Sequence, residues 1–214
     1  MLIAALYVEA GGVYFGVDGV DPWDEERDAR LYPGPYRVVA HPPCQRWGRF
    51  WHGSTRKPHQ FKFGDDQGCF AAALASVRRF GGVIEHPADS GAWNLPDHPT
   101  RPGFGLPIPE RGGGWTAPDE HGGRSCCVDQ GHYGHKARKR TWLYAVGIRF
   151  PDLIWGPCIQ RIPQWMIDRY GYAKARKIGV VAMEGGKDKQ AKRNRSPIQF
   201  RDLLVEIATD SGNG

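Results

Sequence analysis

Apolar residues fall in short runs along this chain, separated by turn-forming residues. Residues 2–8 and 13–17 are apolar and β-prone, and they flank Ala10-Gly11-Gly12. That pattern predicts an N-terminal β-hairpin. An acidic loop with at most one helical turn is expected over residues 18–28, and a turn at Pro33-Gly34-Pro35. Residues 37–40 then read as a short buried strand. Phe70, Ala73, Leu74 and Val77 recur at spacings of three and four, so a helix is expected there. Asp65 or Asp66 caps its start, and Gly81-Gly82 ends it. Val83-Ile84 is a second buried strand, and residues 141–146 are another. Residues 162–177 predict a helix broken at Gly171. The last helix has Ser196 as cap, Pro197 in its first position and Gln199 closing a capping box, with Phe200, Leu203, Leu204 and Ile207 as the buried stripe.

Strand, helix and strand in that order predict two parallel neighbours joined by a right-handed crossover. The fold class expected is α/β: a shortened, mostly parallel Rossmann-like sheet with an N-terminal hairpin and long Gly/Pro-rich loops. One domain spans residues 1–214. Residues 1–36 form the hairpin and acidic loop, 37–148 the α/β core, and 149–214 a basic extension with the terminal helix. Residues 88–124, rich in Gly and Pro and without periodicity, read as a long surface loop ordered by a partner. Residues 185–195, rich in Gly, Lys and Arg, read as mobile.

Charge adds a partner to this picture. The net charge is +6, but residues 1–135 carry 13 basic and 16 acidic side chains, whereas residues 136–214 carry 16 and 7. A basic C-terminal third suits a polyanion, nucleic acid first, although a solvated basic face has the same composition. No apolar run is long enough to span a bilayer, and the N-terminus lacks the basic flank of a signal peptide. Five cysteines, an odd number, imply free thiols in a reducing compartment, so a cytoplasmic protein with no membrane partner is expected.

The chemistry centres on Ala40-His41-Pro42-Pro43-Cys44-Gln45. Two prolines stiffen a loop at a strand end and aim a thiol from it. Cys44 is therefore a candidate nucleophile, against the commoner fate of a buried structural cysteine. The second strand delivers Glu85-His86-Pro87 to the same sheet edge, which places Cys44 and Glu85 side by side. Residues 46–64 interleave aromatic and basic side chains, among them Trp47, Arg49, Arg56 and Lys57. Such a loop suits base stacking and phosphate contacts, and equally a set of tryptophans plugging the core edge. Cys126, Cys127, His132 and His135, with His121 near, are the right residue types for zinc at a spacing that fits no familiar knuckle. No metal is expected, the cysteines being core residues and the histidines lining the cleft.

Three pieces in order, Pro42-Pro43-Cys44-Gln45, Val83-Ile84-Glu85-His86-Pro87, and Tyr133-Gly134-His135-Lys136-Ala137-Arg138-Lys139-Arg140 before a strand, resemble the catalytic half of DNA cytosine-5 methyltransferases. The resemblance covers roughly residues 36–148. It implies a methyltransferase-like sheet and modification of cytosine at carbon 5 in DNA. Cys44 would add to carbon 6 of the base, Glu85 would support the ring nitrogen, and Arg138 and Arg140 would hold the flipped nucleotide. Pro43, Gln45, Trp47, Arg49, His86, Tyr133 and His135 would line the substrate. The family binds S-adenosylmethionine through a Phe-x-Gly-x-Gly-type loop; Leu6-Tyr7-Val8-Glu9-Ala10-Gly11-Gly12 stands in that place here. Glu85 is followed by His86 where the family has Asn, and Ala137 stands where it has Gln. Thymidylate synthases also place a cysteine after Pro-Pro and use a folate one-carbon donor. The alternatives are thus a related modification such as hydroxymethylation with another donor, substrate in the form of a free nucleotide, or a DNA-binding protein without catalysis.

Overall fold

The structure is a computed structural model, described over residues 2–53, 60–136, 138–159, 162–178 and 195–211. Six strands form one sheet: β1 (Ile3–Leu6), β2 (Val20–Trp23), β3 (Arg37–Ala40), β4 (Gly82–Pro87), β5 (Arg124–Asp129) and β6 (Arg140–Val146). Their order across the sheet is β2-β1-β3-β4-β6-β5. The first four are mutually parallel, and β6 runs antiparallel between β4 and β5. The protein is therefore α/β with a mixed, mostly parallel sheet, compatible with a Rossmann-like fold.

Strand residues alternate between two cores, as the period of two requires. Ala4, Leu6, Val38, Ala40, Ile84, Trp142 and Tyr144 face one side, under helix α1 (Cys69–Phe80). Ile3, Ala5, Val39, Val83, Leu143 and Ala145 face the other, under the terminal helix α4 (Ile198–Thr209). From α1, Phe70, Leu74 and Val77 are buried, each stabilising by roughly 2 kcal/mol. Phe200, Leu204 and Ile207 do the same from α4, with Leu203 half-buried beside them. Two short helices, α2 (Gln164–Tyr170) and α3 (Tyr172–Ile178), are separated by Gly171 and pack together through Met166 and Ala175.

The β3–α1–β4 crossover follows the sequence pattern. Asp66 starts α1: its carboxylate accepts the backbone N–H of Gly68 at 3.0 Å and of Phe70 at 2.9 Å. At the other end Gly81 caps and Gly82 opens β4. A Cβ at Gly82 would lie 1.9 Å from the Val38 carbonyl, at a φ of +128°, so only glycine allows β3 and β4 to pair here.

Three expectations are corrected. The N-terminal segment is not a hairpin. Residues 13–17 form turns, β2 comes from the acidic stretch, and it pairs parallel to β1. The reason is a succession of tight turns, Gly12 N–H to Glu9 C=O, Phe15 to Gly12 and Val20 to Val17, which bring the chain back to where β1 began. Val13 and Tyr14 are apolar because they pack on the α4-side core. Residues 88–124 are not a loose surface loop throughout. Gly91–Trp93 forms a buried 3-10 turn, Trp93 Nε1 donates to Ser125 Oγ at 2.9 Å, and Leu106 is buried. Finally, Pro197 rather than Ser196 occupies the cap position of α4, and no side chain caps it. The Gly-, Lys- and Arg-rich stretch before it lies outside the described residues, apart from Arg195.

Candidate active site

The chain leaves β1 toward β2 on one side and later returns to β3 on the other. The carboxyl ends of β1 and β3 therefore flank a point where the sheet order reverses, the usual crevice of open α/β sheets. A cleft of about 380 Å3 opens there. Residues after β1 (Tyr7, Val8, Glu9), after β3 (His41 to Gln45) and at the end of β4 (Glu85 to Pro87) line it, with Tyr14, Lys139, Arg195 and Ser196 completing the wall.

Cys44 reaches the cleft because Pro42 and Pro43 carry the chain out of β3. A turn then closes, with the Trp47 N–H donating to the Cys44 carbonyl at 3.1 Å. Its thiol is free and half-buried. Burial pushes the thiol pKa up, the Glu85 carboxylate pushes it further, and Lys139 opposes both. The thiol is thus held protonated while Glu85 is an anion.

Glu85 shares the α4-side face of β4 with Val83. Its side chain is nearly closed to solvent, and both oxygens are occupied. Oε2 accepts from His41 Nδ1 at 3.0 Å, and Oε1 accepts from Gln130 Nε2 at 3.1 Å. Burial alone would raise the pKa of this carboxyl. The His41 hydrogen bond and the positive charge of His41, Lys139 and His86 outweigh it and bring it to about 2. The second nitrogen of His41, Nε2, meets the Tyr14 hydroxyl at 2.8 Å. Burial, then Glu85, raises the Tyr14 pKa, so Tyr14 keeps its proton. Gln130 is fixed in turn, its amide also donating to Thr141 Oγ1 at 2.9 Å. The result is a connected chain, Tyr14–His41–Glu85–Gln130–Thr141, running from the cleft wall into the interior.

Of the residues expected from sequence, Pro43, Cys44, Gln45, Glu85 and His86 meet at this cleft. His86 is on the opposite face of β4 from Glu85 and only 1% exposed. Its Nδ1 lies 2.7 Å from Ser90 Oγ, its ring packs against Phe70, and burial lowers its pKa to about 4. The remaining expected residues are not part of the lining. Trp47 is a core residue whose Nε1 donates to Asp66 at 2.8 Å and whose ring packs against Phe63, Phe70 and Phe104. Arg49 is exposed over Phe50. The Tyr133 hydroxyl accepts from the Ile154 N–H, and the His135 N–H donates to the Gln130 carbonyl. Arg138 Nε donates to the Cys158 carbonyl at 3.0 Å, and Arg140 pairs with Asp89 at the surface. Lys139, between those two arginines, lines the cleft, as does Arg195. Arg56, Lys57 and Ala137 lie outside the described residues.

The cysteine–histidine group does not converge on a metal. Cys126 and Cys127 are successive residues of β5, one in each core, so their sulfurs point to opposite faces of the sheet. Among the described residues, no three His, Cys, Asp or Glu side chains are placed to share an ion.

Nor do the residues after β1 fit the glycine-rich turn expected for S-adenosylmethionine. Close backbone approach at this turn needs residues without side chains. Tyr7 occupies it with a left-handed φ of 59°, and Val8 is buried. Gly11 and Gly12 come only after Glu9, where a Cβ on Gly12 would lie 2.7 Å from the Glu9 carbonyl.

Sequence reasoning passed over Tyr14, His41, Gln130 and Lys139. His41 carried a signal, being an ionisable residue one step past a buried strand with the same parity as Val39. Tyr14 and Gln130 carried none, because only the folded chain brings them to Glu85.

The chain matches no family model, no curated protein and no solved structure.

Proposed function

We propose that the protein modifies cytosine at carbon 5 in DNA, with Cys44 as the nucleophile that adds to carbon 6. The observation that carries this reading is the meeting of Cys44 and Glu85 in one cleft at the carboxyl ends of adjacent parallel strands. Carbon 5 of cytosine is unreactive until a nucleophile at carbon 6 converts the ring to an enamine. A carboxyl group at the amine and ring-nitrogen edge stabilises that change. Glu85, held by two donors and opposed by cations, is rigid enough for the task. Lys139 supplies positive charge on the same wall, suited to a phosphate or to the base carbonyl oxygen. A cleft beyond the sheet edge requires the base to leave the duplex. A Cys44 pKa raised by burial and by Glu85 fits a nucleophile released only once a bound base stands between the thiol and the carboxylate.

The turn after β1, filled by Tyr7 and Val8, does not suit S-adenosylmethionine. That mismatch favours a second reading for the donor alone: another one-carbon donor acting on the same cysteine adduct, as in hydroxymethylation.

The test is covalent trapping on DNA containing 5-fluorocytosine. The wild-type chain is expected to form a denaturation-resistant adduct, and Cys44→Ser none. An adduct formed equally by Cys44→Ser, or none with the wild type, would overturn the proposal. The mass of the nucleosides in DNA from cells making the protein identifies the donor.

A further inference from the structure

We propose that His41 is a positioning residue for Glu85, fixing the carboxylate in the cleft and serving as the group through which that carboxylate exchanges its proton. This rests on the cytosine reading only for the destination of the proton.

The argument starts from the hydrogen bonds that reach Glu85. Gln130 spends both amide hydrogens, one on Glu85 Oε1 and one on Thr141 Oγ1, and an amide does not titrate. His41 reaches the other oxygen, Oε2, and its ring can gain or lose a proton. Three further titratable or charged groups act on Glu85 electrostatically: Lys139 ahead of β6, His86 on the same strand, and Cys44 on the loop after β3. Tyr14 stands behind His41 at Nε2, and Arg201 and Asp202 of α4 act on Tyr14 in turn. In the resting neutral ring Nδ1 carries the hydrogen toward the carboxylate and Nε2 is bare; when the imidazolium gives its Nδ1 hydrogen to Glu85, the hydrogen left on the neutral ring is on Nε2. The Tyr14 hydroxyl matches both states, donating to a bare Nε2 or accepting from Nε2–H.

This geometry answers a difficulty in the proposed reaction. Thiolate addition needs a proton at the ring nitrogen, yet Glu85 is an anion whose oxygens both accept. With the imidazolium form of His41 the protons balance. The Cys44 thiol gives its proton to solvent water, and the S–C6 bond forms. The C5–C6 π pair moves to C4–C5, and the C4–N3 pair moves onto N3. N3 takes a proton from the Glu85 carboxyl, which has received it from His41 Nδ1. His41 is left neutral with its hydrogen on Nε2, donating to the Tyr14 oxygen. When the adduct collapses, N3 returns the proton along the same path.

Two measurements on the full chain test this. The first follows the Glu85 side-chain carboxyl carbon by NMR against pH, assigned with Glu85→Gln, in wild type, His41→Asn and His41→Ala. The second is the rate of adduct formation on 5-fluorocytosine DNA. In both variants the Glu85 titration is expected to move up by about one pH unit or more. His41→Ala is expected to form adduct about a hundredfold slower, and added imidazole to restore part of the rate. His41→Asn keeps a donor beside Glu85 but cannot exchange a proton, so it stays slow with or without imidazole. If His41→Ala does not fold, the Asn variant decides the same question. A wild-type rate in the Asn variant, or an unmoved Glu85 titration, would overturn the inference. If the wild type itself forms no adduct, the cytosine reading fails separately, and the Glu85 titration alone decides whether His41 controls the carboxylate.

Discussion

The indole of Trp47 is hydrogen-bonded through Nε1 to the carboxylate of Asp66 at 2.8 Å. The same carboxylate accepts the backbone N–H groups of Gly68 and Phe70. One buried side chain thus starts helix α1 and anchors the loop that carries Cys44. Asp66→Ala is expected to destabilise the fold by about 2–3 kcal/mol, since it removes the acceptor of two backbone N–H groups at the start of α1 and strands a buried indole N–H. Asp66→Asn, which retains acceptors, should cost less. Urea denaturation of the two variants checks the order.

Gly82→Ala is expected to cost more than any surface substitution, roughly 3 kcal/mol or above, because the new methyl would meet the Val38 carbonyl. Gly122→Ala is the control. Its φ of +73° is also positive, but nothing lies within 4 Å of its added carbon, so a cost of about 1 kcal/mol is expected. The difference in unfolding midpoint measures how much of the penalty comes from the β3–β4 pairing.

Acid sensitivity should come in two windows. The pKa of His86 is lowered in the fold, so the unfolded chain binds its proton first. The stability it permits is complete above about pH 6.5 and falls away as pH drops toward 4. The Glu85 pKa is also depressed, from the ordinary 4.5 to about 2, so its contribution is lost between those values as pH falls. His86→Gln is expected to flatten the upper window and Glu85→Gln the lower one. Denaturation at a series of pH values separates them; a variant with the wild-type slope in its own window would refute that assignment.

Lys139→Gln is expected to slow adduct formation about tenfold, because it removes a cation from the cleft wall. Arg140→Gln breaks an exposed pair with Asp89 and should change the rate less than about twofold. Trapping kinetics for the two variants compare the cleft cation directly with its neighbour.

The crossover β3–α1–β4 was legible because its signals are local: a 3-to-4 apolar spacing, a glycine pair at the helix end and two short apolar runs, although Gly68 rather than Asp65 or Asp66 takes the cap position of α1. Chirality rules then brought Cys44 and Glu85 to one edge. The first 28 residues were not legible, because Val13 and Tyr14 are apolar for packing between turns rather than for pairing in a strand. Trp47 sat in a stretch without periodicity, where a core plug and a stacking platform have the same composition. The Glu85 network was hidden by distance along the chain: Tyr14 lies 27 residues from His41, and Glu85 lies 44 residues from it. At the third motif, the choice among Arg138, Lys139 and Arg140 depended on strand parity, and sequence did not fix the strand's first residue.

That last choice has a wider meaning. Because β6 runs against its neighbours, the chain enters it on the cleft side, and the side chain ahead of the strand faces the substrate space. Three cations stand in a row at that entrance. A residue inserted or deleted ahead of β6, with its pairing to β4 unchanged, would exchange an ammonium for a guanidinium at the cleft wall. The run of basic residues is therefore a vernier: a single inserted or deleted residue there retunes which headgroup meets the substrate while leaving the sheet, the thiol and the carboxylate where they are.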